Sequence, residues 1–295
     1  MKSGFVGIIG CPNVGKSTLL NSLIGEKVSI VSDKPQTTRH RLQGILTTAE
    51  GQVVFVDTPG VHKPKHLLGE YMIEVSFRSL AEVDLVFYIT DVERGYGARE
   101  QFIINQLKKA SVPVFLIINK IDLTTPECME AIADEFRAEF NFSEIIFISA
   151  AKNLNLDQLL TETWGYLPEG PMYYPEDDLT DQPMSFIASE LIREKVLTLT
   201  RDEVPHSIAV AIEEFKVQSA KMCYIRASIY TERDSQKGII IGKEGSRLKK
   251  IGELARQELE EMMDSKVYLD LWVKVKKNWR DNEANLRQLG FKDHN

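Results

Sequence analysis

The chain has 295 residues, 43% of them hydrophobic and 27% charged, with a formal net charge of −7. That length favours two domains, since one core rarely grows past about 250 residues, and no run of about 18 apolar residues offers a membrane span. The acidic balance argues against nonspecific nucleic-acid binding, although 237–280 holds eleven Lys/Arg against seven Asp/Glu and so carries a local basic surplus.

Phe5-Val6-Gly7-Ile8-Ile9 reads as a buried strand running into Gly10-Cys11-Pro12-Asn13-Val14-Gly15-Lys16-Ser17, which fits G-x-x-x-x-G-K-[ST]. Thr18-Leu19-Leu20-Asn21-Ser22-Leu23-Ile24 then has the apolar spacing of a helix face, closed by Gly25. The chemistry needs this order. Gly10 and Gly15 let the backbone turn so that its N–H groups converge on an anion, and the helix start adds its positive end. Lys16 reaches the β- and γ-phosphates of a nucleotide, and the Ser17 hydroxyl suits Mg²⁺. The residues up to Cys11 faintly imitate a lipoprotein signal. Their apolar region is short, however, and cleavage before Cys11 would remove Gly10 from the loop. Cys11, Cys128 and Cys223 are scattered and lack C-x-x-C spacing, so the expectation is a reduced cytosol with neither disulfide nor zinc site.

Val28-Ser29-Ile30-Val31 reads as a short strand or a loop, and Asp33-Lys34-Pro35-Gln36-Thr37-Thr38-Arg39-His40 as a polar loop. Thr37 and Thr38 are candidates for a hydroxyl that binds Mg²⁺ and senses a γ-phosphate, although a loop threonine alone is more often merely solvated. Val53-Val54-Phe55-Val56 is a buried strand delivering Asp57-Thr58-Pro59-Gly60. There Asp57 suits the surroundings of Mg²⁺ and Gly60 suits a γ-phosphate. D-x-x-G arises by chance about once in such a chain, so its weight comes from its place at a strand's end. Val61 follows where many GTPases have a water-orienting Gln, and valine cannot do that work. His62 is the nearest titratable group, and equally reads as a surface histidine.

Leu85-Val86-Phe87-Tyr88-Ile89 and Val114-Phe115-Leu116-Ile117-Ile118 are further strands, with a helix over 100–109 between them. The second delivers Asn119-Lys120-Ile121-Asp122. In N-K-x-D the carboxylate accepts from the N1–H and exocyclic amine of guanine, a donor pair adenine lacks. Lys120 would lie along the base. Chance matches are rare, about 0.04 per chain. Ile145-Ile146-Phe147-Ile148 leads into Ser149-Ala150-Ala151-Lys152, whose backbone N–H groups can meet the guanine oxygen. All these motifs fall at strand ends, where open α/β sheets bind ligands. The expectation over 1–170 is therefore a GTP-binding, P-loop α/β domain of three layers with a mostly parallel sheet.

From Gly165 to Asp178 the chain turns proline- and acid-rich, which marks a linker over 171–184. A helix from Phe186, strands over 208–217 and 223–230, a short helix over 236–241, Gly242-Lys243-Glu244-Gly245, a helix Ser246–Met263 and a strand over 267–275 follow. Helix, strand, strand, helix, G-x-x-G, helix, strand is the type II KH order, an α+β fold that clamps single-stranded nucleic acid across the G-x-x-G loop. Bare glycines keep side chains off the backbone. Lys243, Arg247, Lys249 and Lys250 add charge on that side, and Gly238-Ile239-Ile240-Ile241 would form an apolar wall for bases. Trp279 in the basic run 274–280 reads equally as a stacking platform or a core residue. The domain is expected over 185–280, with a tail at 281–295.

Taken together, the chain resembles the Era family of bacterial ribosome-assembly GTPases. The likeness rests on Gly-Cys-Pro-Asn-Val-Gly-Lys-Ser, Pro-Gln-Thr-Thr-Arg-His, Asp-Thr-Pro-Gly-Val-His, Asn-Lys-Ile-Asp and Ile-Ile-Gly-Lys-Glu-Gly. It implies a cytoplasmic monomer that turns GTP into GDP and acts in small ribosomal subunit assembly. Its partner would be the 3′ end of the small-subunit rRNA, with peripheral contact at the inner membrane. Lys16, Ser17, Thr38, Asp57 and Gly60 would then carry hydrolysis. Ser17 and Thr38 would hold Mg²⁺, and Asn13 a K⁺ ion. The alternatives are a GTPase acting on tRNA or another RNA, and a nonenzymatic RNA-binding scaffold.

Overall fold

The computed structural model describes residues 1–34, 36–202, 204–219 and 221–291. Pro35 of the polar loop and the last four residues of the expected tail lie outside them. The described chain divides into two units. One comprises Met1–Val31, Pro35–Pro64 and Gly69–Asp181, and the other Ser32–Lys34, Lys65–Leu68 and Gln182–Asn295.

The first unit runs β1 (Lys2–Gly10), α1 (Lys16–Ile24), β2 (Leu42–Thr47), β3 (Gly51–Asp57), α2 (Leu67–Ser79), β4 (Leu85–Asp91), α3 (Ala98–Leu107), β5 (Val114–Asn119), α4 (Pro126–Arg137), β6 (Glu144–Phe147) and α5 (Leu156–Tyr166). Its sheet has the order β2-β3-β1-β4-β5-β6, parallel throughout except for β2, which pairs antiparallel with β3. Every residue of β3, β4 and β5 is buried. Strands covered on both faces read as unbroken Val/Ile/Phe runs rather than alternations, which is why these three are plain in the sequence. Val28 to Val31 form no strand.

The expected linker is laid down along β2 as far as Asp181. Thr180 pairs antiparallel with Gly44, and the Ile45 N–H donates to the Leu179 carbonyl at 2.9 Å. Gln52 Oε1 accepts from the N–H groups of Tyr173 and Tyr174, at 2.8 and 3.0 Å. Those bonds satisfy backbone groups on a sheet edge that would otherwise stay unpaired.

The second unit runs α6 (Met184–Leu199), β7 (Ala209–Ser219), β8 (Met222–Thr231), α7 (Asp234–Ile241), α8 (Ser246–Met263), β9 (Lys266–Val275) and α9 (Glu283–Gln288). β7 and β8 are antiparallel, and β8 and β9 parallel. On β8 the alternate residues Cys223, Ile225, Ala227 and Ile229 are buried, the period-two pattern of a sheet with one covered face. α6 and α8 pack together over that side, burying Leu191, Ile192, Ile251 and Leu259. Trp279 belongs to this core. It is fully buried, its Nε1 donates to the Ser207 carbonyl at 2.8 Å, and its ring stacks on Phe291, so the stacking-platform reading is excluded. The basic run around it is also committed, Lys274 to Glu213 and Arg280 to Glu232.

Candidate nucleotide site and nucleic-acid groove

β1 ends at Gly10 and α1 begins at Lys16, with Asn13 (φ 66°) and Gly15 (φ 98°) in left-handed conformations that turn the loop between them. A Cβ on Gly15 would lie 2.2 Å from Asn119 Nδ2, so only glycine lets the side chain of Asn119 reach the loop. Asn119 Nδ2 donates to the Val14 carbonyl at 2.8 Å, and its Oδ1 accepts from the Ala150 N–H at 3.0 Å. One side chain thus joins the phosphate loop to the loop after β6.

Lys16 is buried, its ammonium donating to the carbonyls of Gly10 (3.3 Å) and Cys11 (2.9 Å). Burial lowers its pKa, against the attraction of Asp57, which raises it. Cys11 points inward, Sγ donating to Glu100 Oε1 at 3.3 Å. Burial first, and then the Glu100 carboxylate, push its thiol up to about 12. Neutral and enclosed, Cys11 is a packing residue.

Three oxygens converge below the loop. Ser17 Oγ lies 2.9 Å from Thr38 Oγ1 and donates to Asp57 Oδ2 at 2.9 Å, while Thr38 Oγ1 is 3.4 Å from the same carboxylate oxygen. Ser29 Oγ adds a fourth contact at 3.3 Å. Asp57 is fully buried, which raises its pKa against the opposing pull of Lys16 and the hydroxyls. Its Oδ1 has no hydrogen-bond partner. A buried carboxylate oxygen left over beside two hydroxyls is a set of hard donors suited to Mg²⁺. Of the two threonines, Thr38 is the one that meets Ser17.

The D-x-x-G segment is pressed against the phosphate loop. A Cβ on Gly60 would lie 2.8 Å from Pro12 Cα, and the Val61 N–H donates to the Gly10 carbonyl at 3.1 Å. Thr58 Oγ1 donates to the Ile8 carbonyl at 2.7 Å, and the Pro59 carbonyl accepts from Ser76 Oγ at 2.9 Å. His62 Nδ1 lies 3.0 Å from the Gly60 carbonyl and Nε2 lies 2.7 Å from Gln36 Nε2. Both ring nitrogens of His62 are thus in hydrogen-bond contact, one with the Gly60 carbonyl and the other with the Gln36 amide.

On the base side, Lys120 is held 2.7 Å from both Asp91 and Glu93. Burial alone would lower its pKa, but those two bonds raise it. Asp122 is exposed, and the Ile121 N–H donates to the Ile148 carbonyl at 3.2 Å. Ala150 does not offer its N–H to a base, because Asn119 takes it.

In the second unit Gly242 (φ 72°) and Gly245 (φ 77°) bracket an exposed Lys243-Glu244 tip. Beside it, Leu248, Lys249, Gly252 and Arg256 of α8 face Leu269 and Leu271 of β9 across a groove of about 490 Å³. It is lined by three leucines, with Lys249 and Arg256 against one acid, Glu253, a mix of apolar surface and net positive charge that suits single-stranded nucleic acid. Of the residues expected there, Gly245 and Lys249 line it. Lys250 is exposed 3.6 Å from Glu253. Arg247 turns away, its guanidinium donating to the Ile239 carbonyl. The expected apolar wall is also displaced. Ile240 is core, Ile239 is exposed, and the leucines take that role.

Residues 5–120 match the family model described as 50S ribosome-binding GTPase, and 203–280 match the KH domain. The chain is 45% identical, over 99% of both chains and with a TM-score of 0.95, to Era crystallised with MgGDPNP and nucleotides 1506–1542 of 16S ribosomal RNA. The same identity, coverage and TM-score hold for Aquifex aeolicus Era carrying a point substitution and bound to GDP·AlF₄⁻. The chain belongs to the Era family.

Three residues of this Era-family site escape a motif reading. Ser29 reaches Asp57 from a segment with no pattern, and Asn21 positions it by accepting from the N–H groups of Val28 (3.0 Å) and Ser29 (2.9 Å). Arg256 lies three turns into α8, where its charge reads as an ordinary solvated face. Asn21 lies beside the apolar face of α1, not within it, and reads as an ordinary polar helix position.

Proposed function

We propose that the chain binds and hydrolyses GTP, and that its nucleotide state governs its hold on the 3′ end of the small-subunit rRNA during small-subunit assembly. The observation that carries the first part is the convergence of Ser17 Oγ and Thr38 Oγ1 on a buried Asp57 with an unpartnered Oδ1. The RNA part draws on the leucine-lined groove and on the family member crystallised with 16S rRNA.

In this reading the phosphate-loop amides and Lys16 bind the β- and γ-phosphates. Asp122 accepts from the guanine N1–H and amine, and the Ala151 amide faces the guanine oxygen. Ser17 and Thr38 hold Mg²⁺, with Asp57 behind them; the ion supplies neutralisation of phosphate charge. The Gly60 N–H faces the γ-phosphate. Transfer of that phosphoryl group to water leaves GDP and phosphate. Thr38 bonds to both Ser17 and Asp57, so it couples the γ-phosphate to the segment from Gln36 to His40. Val61 cannot orient the water, and both ring nitrogens of His62 are engaged. The attacking water is then oriented by backbone groups, by a bound partner or by an ion; the family resemblance implies a monovalent cation, which Asn13, exposed on the loop, would hold. Peripheral contact with the inner membrane remains part of the proposal on family resemblance.

The test measures GTP turnover and affinity for the rRNA 3′ segment in wild type and Lys16→Ala, with GDP and with a nonhydrolysable GTP analogue. Turnover should need Lys16 and Mg²⁺, and RNA should bind more tightly with the analogue. Equal RNA affinity in both nucleotide states would sink the coupling.

A further inference from the structure

A second recess opens on the KH unit, away from the leucine groove. It measures about 520 Å³ and is lined by the end of α6 and the residues after it, by the start of α7, and by Arg247. Three arginines line it, Arg201, Arg233 and Arg247, against a single carboxylate residue, Asp202. Two other arginines of this unit are neutralised, Arg226 by Asp270 and Arg280 by Glu232. Among the described residues, no carboxylate forms an ion pair with Arg201, Arg233 or Arg247.

The recess is tied to the G-x-x-G loop. A Cβ on Gly242 would lie 2.9 Å from Arg247 Cβ and 3.1 Å from its backbone nitrogen, so Arg247 stands between the loop and the cavity. Its guanidinium is fixed by the Ile239 carbonyl. The rim at α7 is also fixed, because buried Gln236 accepts through Oε1 from the N–H groups of Glu232 and Arg233, both at 3.0 Å. Three arginines around one concavity, without an ion pair to a described carboxylate, suit a phosphate. In a chain of net charge −7, such a recess concentrates positive potential locally.

We propose that this recess is a second RNA site, in which Arg201, Arg233 and Arg247 grip a phosphodiester of the strand that has passed through the KH groove over Gly242. The inference rests on the RNA reading above. A KH groove takes only about four nucleotides, and the longer RNA must run on from there. A bilayer would instead be met by a broad convex surface with apolar residues at its centre; here the arginines line a concavity, and Ile239 is the exposed large apolar residue of the lining.

The experiment is fluorescence anisotropy with two RNAs, a six-nucleotide oligomer confined to the groove and the full single-stranded 3′ segment of small-subunit rRNA. It compares the full chain, Arg201→Gln/Arg233→Gln, and a groove variant, Lys243→Asp/Glu244→Asp, each checked for an unchanged thermal melt. The arginine variant should bind the long RNA about tenfold more weakly, with a log–log salt slope shallower by about one to two. Its affinity for the oligomer should stay within about twofold. The groove variant should lose both RNAs. Equal losses on both RNAs, or no loss on either, in the arginine variant overturn the recess. Loss of long-RNA binding in the arginine variant with no effect in the groove variant sinks the groove reading and leaves the recess standing. Release from phosphatidylglycerol–phosphatidylethanolamine vesicles, with long-RNA affinity intact, overturns the proposal in favour of a lipid headgroup.

Discussion

Gln36 and His62 meet side chain to side chain, with 2.7 Å between Gln36 Nε2 and His62 Nε2. The first lies in the segment that carries Thr38 and the second just beyond Gly60, so the bond ties together the two segments that would read a γ-phosphate. Removing either side chain should loosen both. We expect Gln36→Ala and His62→Ala each to slow GTP turnover several-fold. A double-mutant cycle on the turnover rate should give a coupling of about 0.5–1.5 kcal/mol, the range for one hydrogen bond. Strict additivity would mean that the bond does not act in turnover.

Gly15→Ala should be far more damaging than a methyl group suggests. The residue sits at φ 98°, and the new Cβ would lie 2.2 Å from Asn119 Nδ2. Asn119 would have to swing away, releasing both the Val14 carbonyl and the Ala150 N–H. Backbone strain and the lost bonds should cost about 2–4 kcal/mol of stability. GDP affinity should drop by more than tenfold, read by denaturant melts and calorimetry. Near-normal GDP affinity in a folded variant would show that Asn119 does not organise the site.

How much of this could be read beforehand depended on how local the signal was. The phosphate loop, Asp57-Thr58-Pro59-Gly60 and Asn119-Lys120-Ile121-Asp122 are contiguous, and each follows a strand buried along most or all of its length, whose apolar run is unmistakable. β2 was not legible, because an edge strand containing Gly44 and partnered by 173–181 shows neither an apolar run nor a clean alternation. Ser29 was missed because its role depends on Asn21 folding the chain back. From sequence Arg247 belongs to the groove, because it follows the G-x-x-G loop. Which way a side chain leaves the first turn of a helix depends on its neighbours in space, here the Ile239 carbonyl. Trp279 kept two readings open because a basic run looks exposed until Glu213 and Glu232 are brought to it.

Asp57→Asn should separate stability from function. Burial raises the Asp57 pKa above its unfolded value of about 3.9. In the window between those two values the folded state therefore holds a proton that the unfolded state has released. The favourable contribution of this group is fully present below the unfolded value and is lost as pH rises through the folded value. At neutral pH the ionised carboxylate, facing Lys16, Ser17, Ser29 and Thr38, costs stability when no cation is bound. The Asn variant should melt no lower than wild type without nucleotide at pH 7, and its melting temperature should lack that acid-range dependence. MgGDP should raise the wild-type melt and fail to raise the variant's. A large MgGDP shift in the variant would remove Asp57 from the metal site.

Asp122→Asn tests the base. A carboxylate accepts both guanine donors, whereas an amide presents one acceptor and one donor, leaving a base N–H or amine facing an N–H. We expect at least a hundredfold loss of GTP affinity, in line with the cost of mismatched polar groups in a recognition site. A base bearing a carbonyl in place of the exocyclic amine should recover part of that loss. Competition calorimetry with GTP, ATP and the carbonyl-bearing nucleotide reads this directly, and unchanged GTP preference would refute the assignment.

Trp279→Phe separates core from interface. The indole is fully buried, stacks on Phe291 and donates to the Ser207 carbonyl. Phenylalanine keeps an aromatic ring there but leaves that carbonyl without its donor and the site underfilled. The loss should be about 1–3 kcal/mol of stability in the second unit, measured by chemical denaturation with a probe in that unit. RNA affinity below the melting transition should stay within about twofold. A tenfold fall in RNA affinity with unchanged stability would return Trp279 to the binding surface, and with it the basic run 274–280.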